Sequence, residues 1–157
     1  MKLLFRVLLL LLPLFVLLGC DKDDDPLKDK LRFKVTLRVT GENLAGLGAE
    51  MDYTSVRNTL TDPKPGPTGR DTYALRADGT YDLGEFGFYD QLAATIAMRN
   101  VTCTARPPAN SRLKLEILVN GVLYDRVELN GASPGTISCS QPYWLVTTSS
   151  DGDDWDD

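Results

Sequence analysis

The chain has 157 residues, a net charge of −5 and no histidine, so it lacks the side chain that most often serves as general base or metal ligand. Five of its 22 acidic residues lie in 21–30 and five in 149–157, which leaves twelve acidic and twelve basic side chains in 31–148. The body is therefore neutral, which argues against a nucleic-acid partner and against a basic membrane-binding face.

The first residues have the pattern of a secretory signal, because Lys2 and Arg6 precede an apolar run over 7–18. The run is shorter than the about 20 apolar residues that cross a bilayer. It also contains Pro13, so a retained membrane helix is the weaker alternative. We expect residues 1–19 to be a cleaved signal peptide.

The signal ends in Leu17-Leu18-Gly19-Cys20, which resembles the lipobox of bacterial lipoproteins. The resemblance implies that the Cys20 thiol receives diacylglycerol, that the preceding peptide bond is cut, and that the new amine is often acylated. Each buried methylene contributes about 0.8 kcal/mol, so two or three acyl chains hold a protein on a membrane stably. The expected partners are the membrane and the lipoprotein-processing and sorting machinery; no cofactor besides this covalent lipid is expected.

The next residues, Asp21-Lys22-Asp23-Asp24-Asp25, are similar to the export signal of Bacteroidetes-type surface lipoproteins. In that signal a lysine at the third mature position precedes two acidic residues, and Lys22, Asp23 and Asp24 hold these positions. The resemblance implies display on the outer face of the outer membrane. Two alternatives stay open: an acidic linker without a sorting role, and inner-membrane retention, which Asp21 would favour under a different sorting scheme.

The rest of the chain is long enough for one domain and too short for two. We expect a flexible acidic linker over 20–30, a domain over 31–148 and a disordered acidic tail over 149–157. The spacing of the tail aspartates does not fit a calcium loop, which needs a glycine and a distal glutamate at fixed positions, so no metal site is predicted.

Polar and apolar residues alternate over 31–39 and again over 49–54, which predicts two half-buried strands. If these strands pair, the basic outer face of the first meets the acidic outer face of the second. The stripe Arg32, Lys34 and Arg38 is therefore expected to form cross-strand ion pairs rather than a binding site.

Three prolines and two glycines predict a connecting loop over 61–70. The residues Ala77-Asp78-Gly79 predict the turn of a hairpin between 72–76 and 80–83. The segment 90–98 fits a helix or a strand, and its alternation favours a strand that continues through a bulge near Asn100.

Asn120-Gly121 centres the clearest hairpin, over 112–129. A two-residue loop would place Leu115 opposite Arg126, whereas a three-residue loop with Gly121 in the left-handed conformation makes both faces consistent. We therefore predict the longer loop, with the pairs Leu113 and Leu129, Lys114 and Glu128, Leu115 and Val127, and Glu116 and Arg126.

A last strand is predicted at 136–140, resuming at 143–146. Short strands separated by turns indicate an all-β fold, a single antiparallel β-sandwich of the Ig-like or transthyretin-like kind. With Cys20 lipidated, Cys103 and Cys139 remain as an even pair in an oxidising compartment, and we expect a disulfide rather than two buried thiols.

The run Lys114-Leu115-Glu116-Ile117-Leu118-Val119-Asn120-Gly121, followed by Gly131-Ala132-Ser133 and a strand with Cys139, resembles the C-terminal half of small MmpS-type β-sandwich accessory proteins. The resemblance covers about a quarter of the chain, and the loop at 61–70 departs from it. It implies a non-enzymatic accessory or binding role.

The sequence contains no Gly-x-Ser-x-Gly elbow, P-loop or Cys-x-x-Cys motif, and we expect no enzyme activity. Glu85 and Asp90 could form a glycosidase pair, but a chain so rich in acids offers many such pairs. Four aromatic residues lie in the same part of the sequence: Tyr81, Phe86, Phe88 and Tyr89. They either fill the core, which is the favoured alternative, or form a platform for a ligand.

Two functions follow as expectations. The first is a surface-exposed, lipid-anchored interaction or accessory module for an envelope protein complex. The second is a small carbohydrate-binding lipoprotein of a glycan-uptake system.

Overall fold

The computed structural model describes residues 27–57, 62–135, 137–140 and 143–156. No helix in this part of the chain is long and apolar enough to cross a membrane. Several predictions lie outside the described residues: the signal peptide 1–19 with Leu17, Leu18 and Gly19, the lipidated Cys20, and the export signal Lys22, Asp23 and Asp24.

The described residues form nine strands and two 3₁₀ helices. The strands are β1 (Arg32–Glu42), β2 (Ala49–Arg57), β3 (Lys64–Pro65), β4 (Gly69–Tyr73), β5 (Ala77–Gly87), β6 (Gln91–Met98), β7 (Arg112–Val119), β8 (Val122–Asn130) and β9 (Trp144–Asp151). The 3₁₀ helices span Lys28–Lys30 and Gly152–Trp155.

Two antiparallel sheets form the fold. One has the order β5-β1-β7-β8, and the other has the order β3-β2-β6-β9 with β4 also paired to β2. The first sheet buries Leu37, Leu115 and Ile117 against residues of the second sheet such as Met51 and Ile96, all without exposed surface. The predicted all-β antiparallel sandwich is confirmed.

The predicted pairing of the first two strands is wrong, because β1 and β2 belong to different sheets. The chain crosses between the sheets through a turn in which Asn43 adopts a φ of 53°. The expected ion pairs of the basic stripe form with other strands: Lys34 contacts Asp82 of β5 at 3.0 Å and Arg38 contacts Glu116 of β7 at 2.7 Å.

The hairpin predicted around Ala77-Asp78-Gly79 is also wrong, because these residues lie inside β5. β4 pairs with β2, and β5 pairs with β1 in the opposite sheet, so residues 74–76 connect the two sheets. The predicted loop 61–70 contains β3 and the start of β4, both added to the edge of β2.

The strand predicted at 90–98 is confirmed as β6, but its continuation through Asn100 is wrong. β6 ends at Met98, and the chain turns where the Asn100 N–H donates to the Leu47 carbonyl at 3.0 Å. Residues 137–140 of the predicted last strand are irregular, and β9 begins later and runs further than predicted.

The β7–β8 hairpin has all four predicted pairs. The predicted loop is wrong, however, because Val119 pairs with Val122 around a two-residue turn in which Asn120 and Gly121 have φ angles of 52° and 81°. Leu118 pairs with Leu123 and Ile117 with Asp125, so Tyr124 is an extra residue that shifts the register.

Both predicted flexible ends are partly folded. The expected linker ends in the 3₁₀ helix Lys28–Lys30, where the Lys28 ammonium lies 4.8 Å from the centre of the Phe88 ring. The expected tail contains the end of β9 and the helix Gly152–Trp155, and Trp155 is 7% exposed. The prediction of a disordered tail is therefore wrong, because this acidic segment carries one large apolar side chain that the core accommodates.

The predicted disulfide between Cys103 and Cys139 is present, with Cα atoms 5.0 Å apart and a sequence separation of 36 residues. It joins the β6–β7 connection to the β8–β9 connection. Both connections lie at the same end of the sandwich as Glu42, the last residue of β1. We call this the far end. The opposite, entry end carries the start of β1 at Arg32 and the Asn120-Gly121 turn.

Candidate functional site

A depression of about 820 Å³ lies on the outer surface of the four-stranded sheet at the far end. The end of β1 supplies Glu42, the β4–β5 connection supplies Leu75 and Arg76, and β7 and β8 supply Arg112 and Arg126. We call it the far-end groove. Leu75, at 70% exposure, gives it an apolar side chain that is open to a partner.

Charges of opposite sign are paired within and beside the far-end groove. Arg112 contacts Glu128 at 3.0 Å across β7 and β8, and Arg76 contacts Asp78 at 3.4 Å. Surface ion pairs of this kind contribute little to stability, and complementary charges on a partner would favour association with them. The groove therefore offers both signs of charge to a polar partner.

Glu116 anchors the charge network beside the groove and is only 4% exposed. Burial by itself raises the pKa of Glu116, but hydrogen bonds from the Lys114 ammonium and the Arg38 guanidinium outweigh it and hold the pKa below its ordinary value. Glu116 is thus ionised at neutral pH and fixes both cations on the outer face of the sheet.

The predicted aromatic platform does not form one surface. Phe86 is fully buried in the core, as the favoured alternative predicts for it, and Phe88 is 8% exposed but lies outside the core cluster. Tyr81 and Tyr89 are half-buried. The Arg57 guanidinium lies 3.8 Å from the centre of the Phe86 ring. The Tyr89 ring packs edge-on to the Phe88 ring, with centroids 5.1 Å apart, whereas the Tyr81 hydroxyl contacts the Tyr73 hydroxyl.

Tyr81 belongs to a polar cluster with Asp71 and Tyr73. The Tyr81 hydroxyl donates to the Asp71 carboxylate at 2.5 Å and lies 2.8 Å from the Tyr73 hydroxyl. Burial raises the pKa of both tyrosines, and the hydrogen bond to Asp71 raises the pKa of Tyr81 further. Both phenols stay protonated and act as hydrogen-bonding groups that join β4 to β5.

Of the two residues suggested as a glycosidase pair, Glu85 and Asp90, Asp90 has a structural role. Asp90 is buried, and its carboxylate accepts hydrogen bonds from the Arg57 guanidinium at 2.9 Å and from the Gly87 N–H at 2.8 Å. These bonds hold the tight turn between β5 and β6 and tie it to β2. Glu85 is exposed on β5.

Asp151, Asp153 and Asp154 place carboxylate oxygens within 4.8 Å of one another, which is close enough for one hard cation. The hydrogen bond with Asp154 is the main cause that raises the pKa of Asp151, to about 6. Asp151 and Asp154 also cap the helix Gly152–Trp155 reciprocally. Two of the three carboxylates therefore have a structural role as helix caps, and we interpret the cluster as a capping motif rather than a metal site.

No protein-family model and no curated protein matches the chain. Among solved structures, the chain is similar to a domain of unknown function, DUF4425, from Bacteroides vulgatus ATCC 8482. The identity is 10% and the TM-score 0.39, over 76% of this chain and 94% of that one. A likeness at this level carries no functional argument.

The far-end groove was missed in the sequence because its residues come from four separate segments. Lys114 and Glu128 were predicted as a cross-strand pair, but nothing in the local pattern indicates that Leu75 and Arg76 lie beside them. Only the sheet order β5-β1-β7-β8 brings these segments together.

Proposed function

We propose that the chain is a lipid-anchored lipoprotein at the surface of the outer membrane, and that its sandwich is a non-enzymatic interaction module for an envelope protein complex. The motif Leu17-Leu18-Gly19-Cys20 carries the proposal, because it places a lipid acceptor seven residues before Leu27. The Cys103–Cys139 disulfide supports it, since such bonds persist in oxidising compartments.

The position of the far-end groove suits this role. An anchor at Cys20 reaches the sandwich through Leu27 and the start of β1, at the entry end. The groove lies at the opposite end, among the residues that follow Thr40 on β1. It would therefore face away from the membrane, where its paired charges and the exposed Leu75 can meet another envelope component.

The glycan-binding alternative receives no support from the geometry. It depended on a shared aromatic surface, and Phe86 and Phe88 are buried.

Anchoring is tested by expressing the full chain in a Bacteroidetes host and labelling it with an alkyne fatty acid. The wild-type chain should incorporate the label, and Cys20→Ala should not. Protease treatment of intact cells should remove the domain. Labelling that persists in Cys20→Ala contradicts the anchor, and a domain that is digested only after lysis contradicts surface exposure.

The interaction role is tested by placing a photocrosslinking amino acid at Leu75 in living cells. The matched control position is Leu145, which is 41% exposed on the other sheet. We expect a discrete adduct from Leu75 that recurs between preparations and weakens in Arg126→Glu, which reverses one charge of the groove. No adduct at Leu75, or the same adduct from Leu145, would contradict a partner at the groove.

A further inference from the structure

We propose that the tip of the β7–β8 hairpin inserts into the surface of the bilayer that holds Cys20. This inference rests on the lipid anchor proposed above. It names the membrane itself as the partner of the entry end of the sandwich.

The tip is unusually apolar for a surface turn. Val122 is 70% exposed, Leu123 is 49% exposed and Tyr124 is 41% exposed, and the three are consecutive. Runs of exposed apolar residues of this length are avoided in soluble domains unless they serve binding. Aliphatic side chains beside a tyrosine suit the boundary between headgroups and acyl chains, because tyrosine has an apolar ring and a polar hydroxyl.

The tip lies where the chain enters the domain. The Asn120 N–H donates to the Lys34 carbonyl at 2.8 Å, and the Lys34 N–H donates to the Asn120 side-chain oxygen at 2.9 Å. This reciprocal pair fixes the hairpin turn beside the third residue of β1. The exposed Leu27 precedes the same strand at the same end, with 67% of its surface accessible.

The length of the tether holds this end near the membrane. Six residues lie between Cys20 and Leu27, and the seven steps from one to the other span at most about 25 Å at roughly 3.5 Å per step. An eleven-residue strand such as β1 is about 36 Å long at roughly 3.3 Å per residue. With the tether joined to the start of β1, the tip is held within reach of the bilayer while the far end points away.

Charged side chains surround the apolar tip. The Trp155 ring lies 6.3 Å from the Tyr124 ring, and the helix that carries Trp155 exposes Asp153 and Asp154. Lys30, Arg32 and Lys34 are also exposed at the entry end, so charges of both signs surround the tip. The contact therefore rests on insertion of the apolar side chains rather than on attraction to one sign of headgroup charge.

The test uses the full lipidated chain in phosphatidylcholine vesicles with an environment-sensitive dye on Val122→Cys. The Cys20 lipid and the Cys103–Cys139 disulfide leave the introduced cysteine as the free thiol. The matched control is Leu75→Cys, because Leu75 is also 70% exposed but lies at the far end. Quenching is measured with iodide in the water and with doxyl groups on the acyl chains.

We expect dye at position 122 to shift its emission to the blue, to be quenched by doxyl groups and to be protected from iodide, and dye at position 75 to behave oppositely. Equal quenching at both positions in chains that float with the vesicles overturns this inference alone. Protection from iodide without doxyl quenching also overturns it, because a protein or a second copy then covers the tip. Chains that carry no lipid and do not float overturn the anchor and the inference together.

Discussion

Trp155 packs edge-on against Phe86, with ring centroids 5.6 Å apart. Trp155 also packs edge-on against Phe33 at the start of the first strand, at 5.7 Å. Trp155 therefore closes the core at the entry end, and the acidic segment around it is part of the fold.

We predict that Trp155→Ala lowers the free energy of unfolding by about 3–5 kcal/mol, because it removes a large buried ring and leaves a cavity beside Phe86. Urea unfolding followed by near-ultraviolet circular dichroism measures the change. Asp156→Ala, at an exposed neighbouring position, should leave the midpoint unchanged. Equal midpoints for Trp155→Ala and wild type would show that the C-terminal residues are not part of the folded unit.

Replacing both Cys103 and Cys139 with serine should lower the free energy of unfolding by about 2–4 kcal/mol, since the bond closes a long loop in the unfolded chain. The comparison is made by thermal unfolding of the oxidised wild type and the double variant. Reducing agent should destabilise the wild type and leave the double variant unaffected. A wild type that is indifferent to reductant would contradict the disulfide.

Glu116→Gln should lower the free energy of unfolding at pH 7 by about 1–3 kcal/mol, because its hydrogen bonds to Lys114 and Arg38 lose their charge assistance. The pKa of Glu116 in the folded chain lies below its ordinary value of 4.5, so its contribution is present above that value and is lost as the pH falls through the folded pKa. Urea unfolding between pH 2 and 7 should therefore show a smaller loss on acidification in Glu116→Gln than in the wild type. The matched control is Glu42→Gln, because Glu42 is exposed on the strand that carries Arg38. An equal loss of unfolding free energy on acidification in the wild type and both variants would refute the prediction.

Asp151 should titrate with a midpoint of about 6 in carboxyl NMR spectra, well above its ordinary value of 3.8. Because the folded pKa is raised, ionisation destabilises the fold above about pH 6, and protonation stabilises it as the pH falls through that value. Asp154→Asn should move the midpoint down, since the hydrogen bond with Asp154 is the main cause of the shift. Asp156→Asn should leave it in place, and a midpoint that is indifferent to Asp154→Asn would argue against this cause.

Local patterns in the sequence predicted most strand positions but not their partners. Alternation located β1, β2 and β6, because each buries one face. Pairing apolar with apolar and charge with opposite charge gave the register of β7 and β8 correctly. The predicted length of the turn was wrong. The extra residue of this hairpin is Tyr124 inside β8 and not a third residue in the turn, and no local sequence rule distinguishes these two places.

The assignment of strands to sheets could not be predicted, because it depends on contacts between distant parts of the chain. The first strand pairs with β5 and β7 rather than with its neighbour β2. The same limit hid the far-end groove. The folded segment 149–156 could not be predicted for a different reason. The five aspartates of 149–157 indicate a disordered segment by composition, and only the single Trp155 indicates burial.

The order of the strands also sets when this chain can fold. Leu37 of β1 lies opposite Ile117 of β7, β2 pairs with β6, and β6 pairs in turn with β9 near residue 150. Such distant pairings have a high contact order and form slowly. The first sheet needs β8 and the second needs β9, so neither can be completed until residues beyond 120 have been synthesised. If the chain is exported as proposed above, most of it would therefore pass through the membrane before either sheet can close.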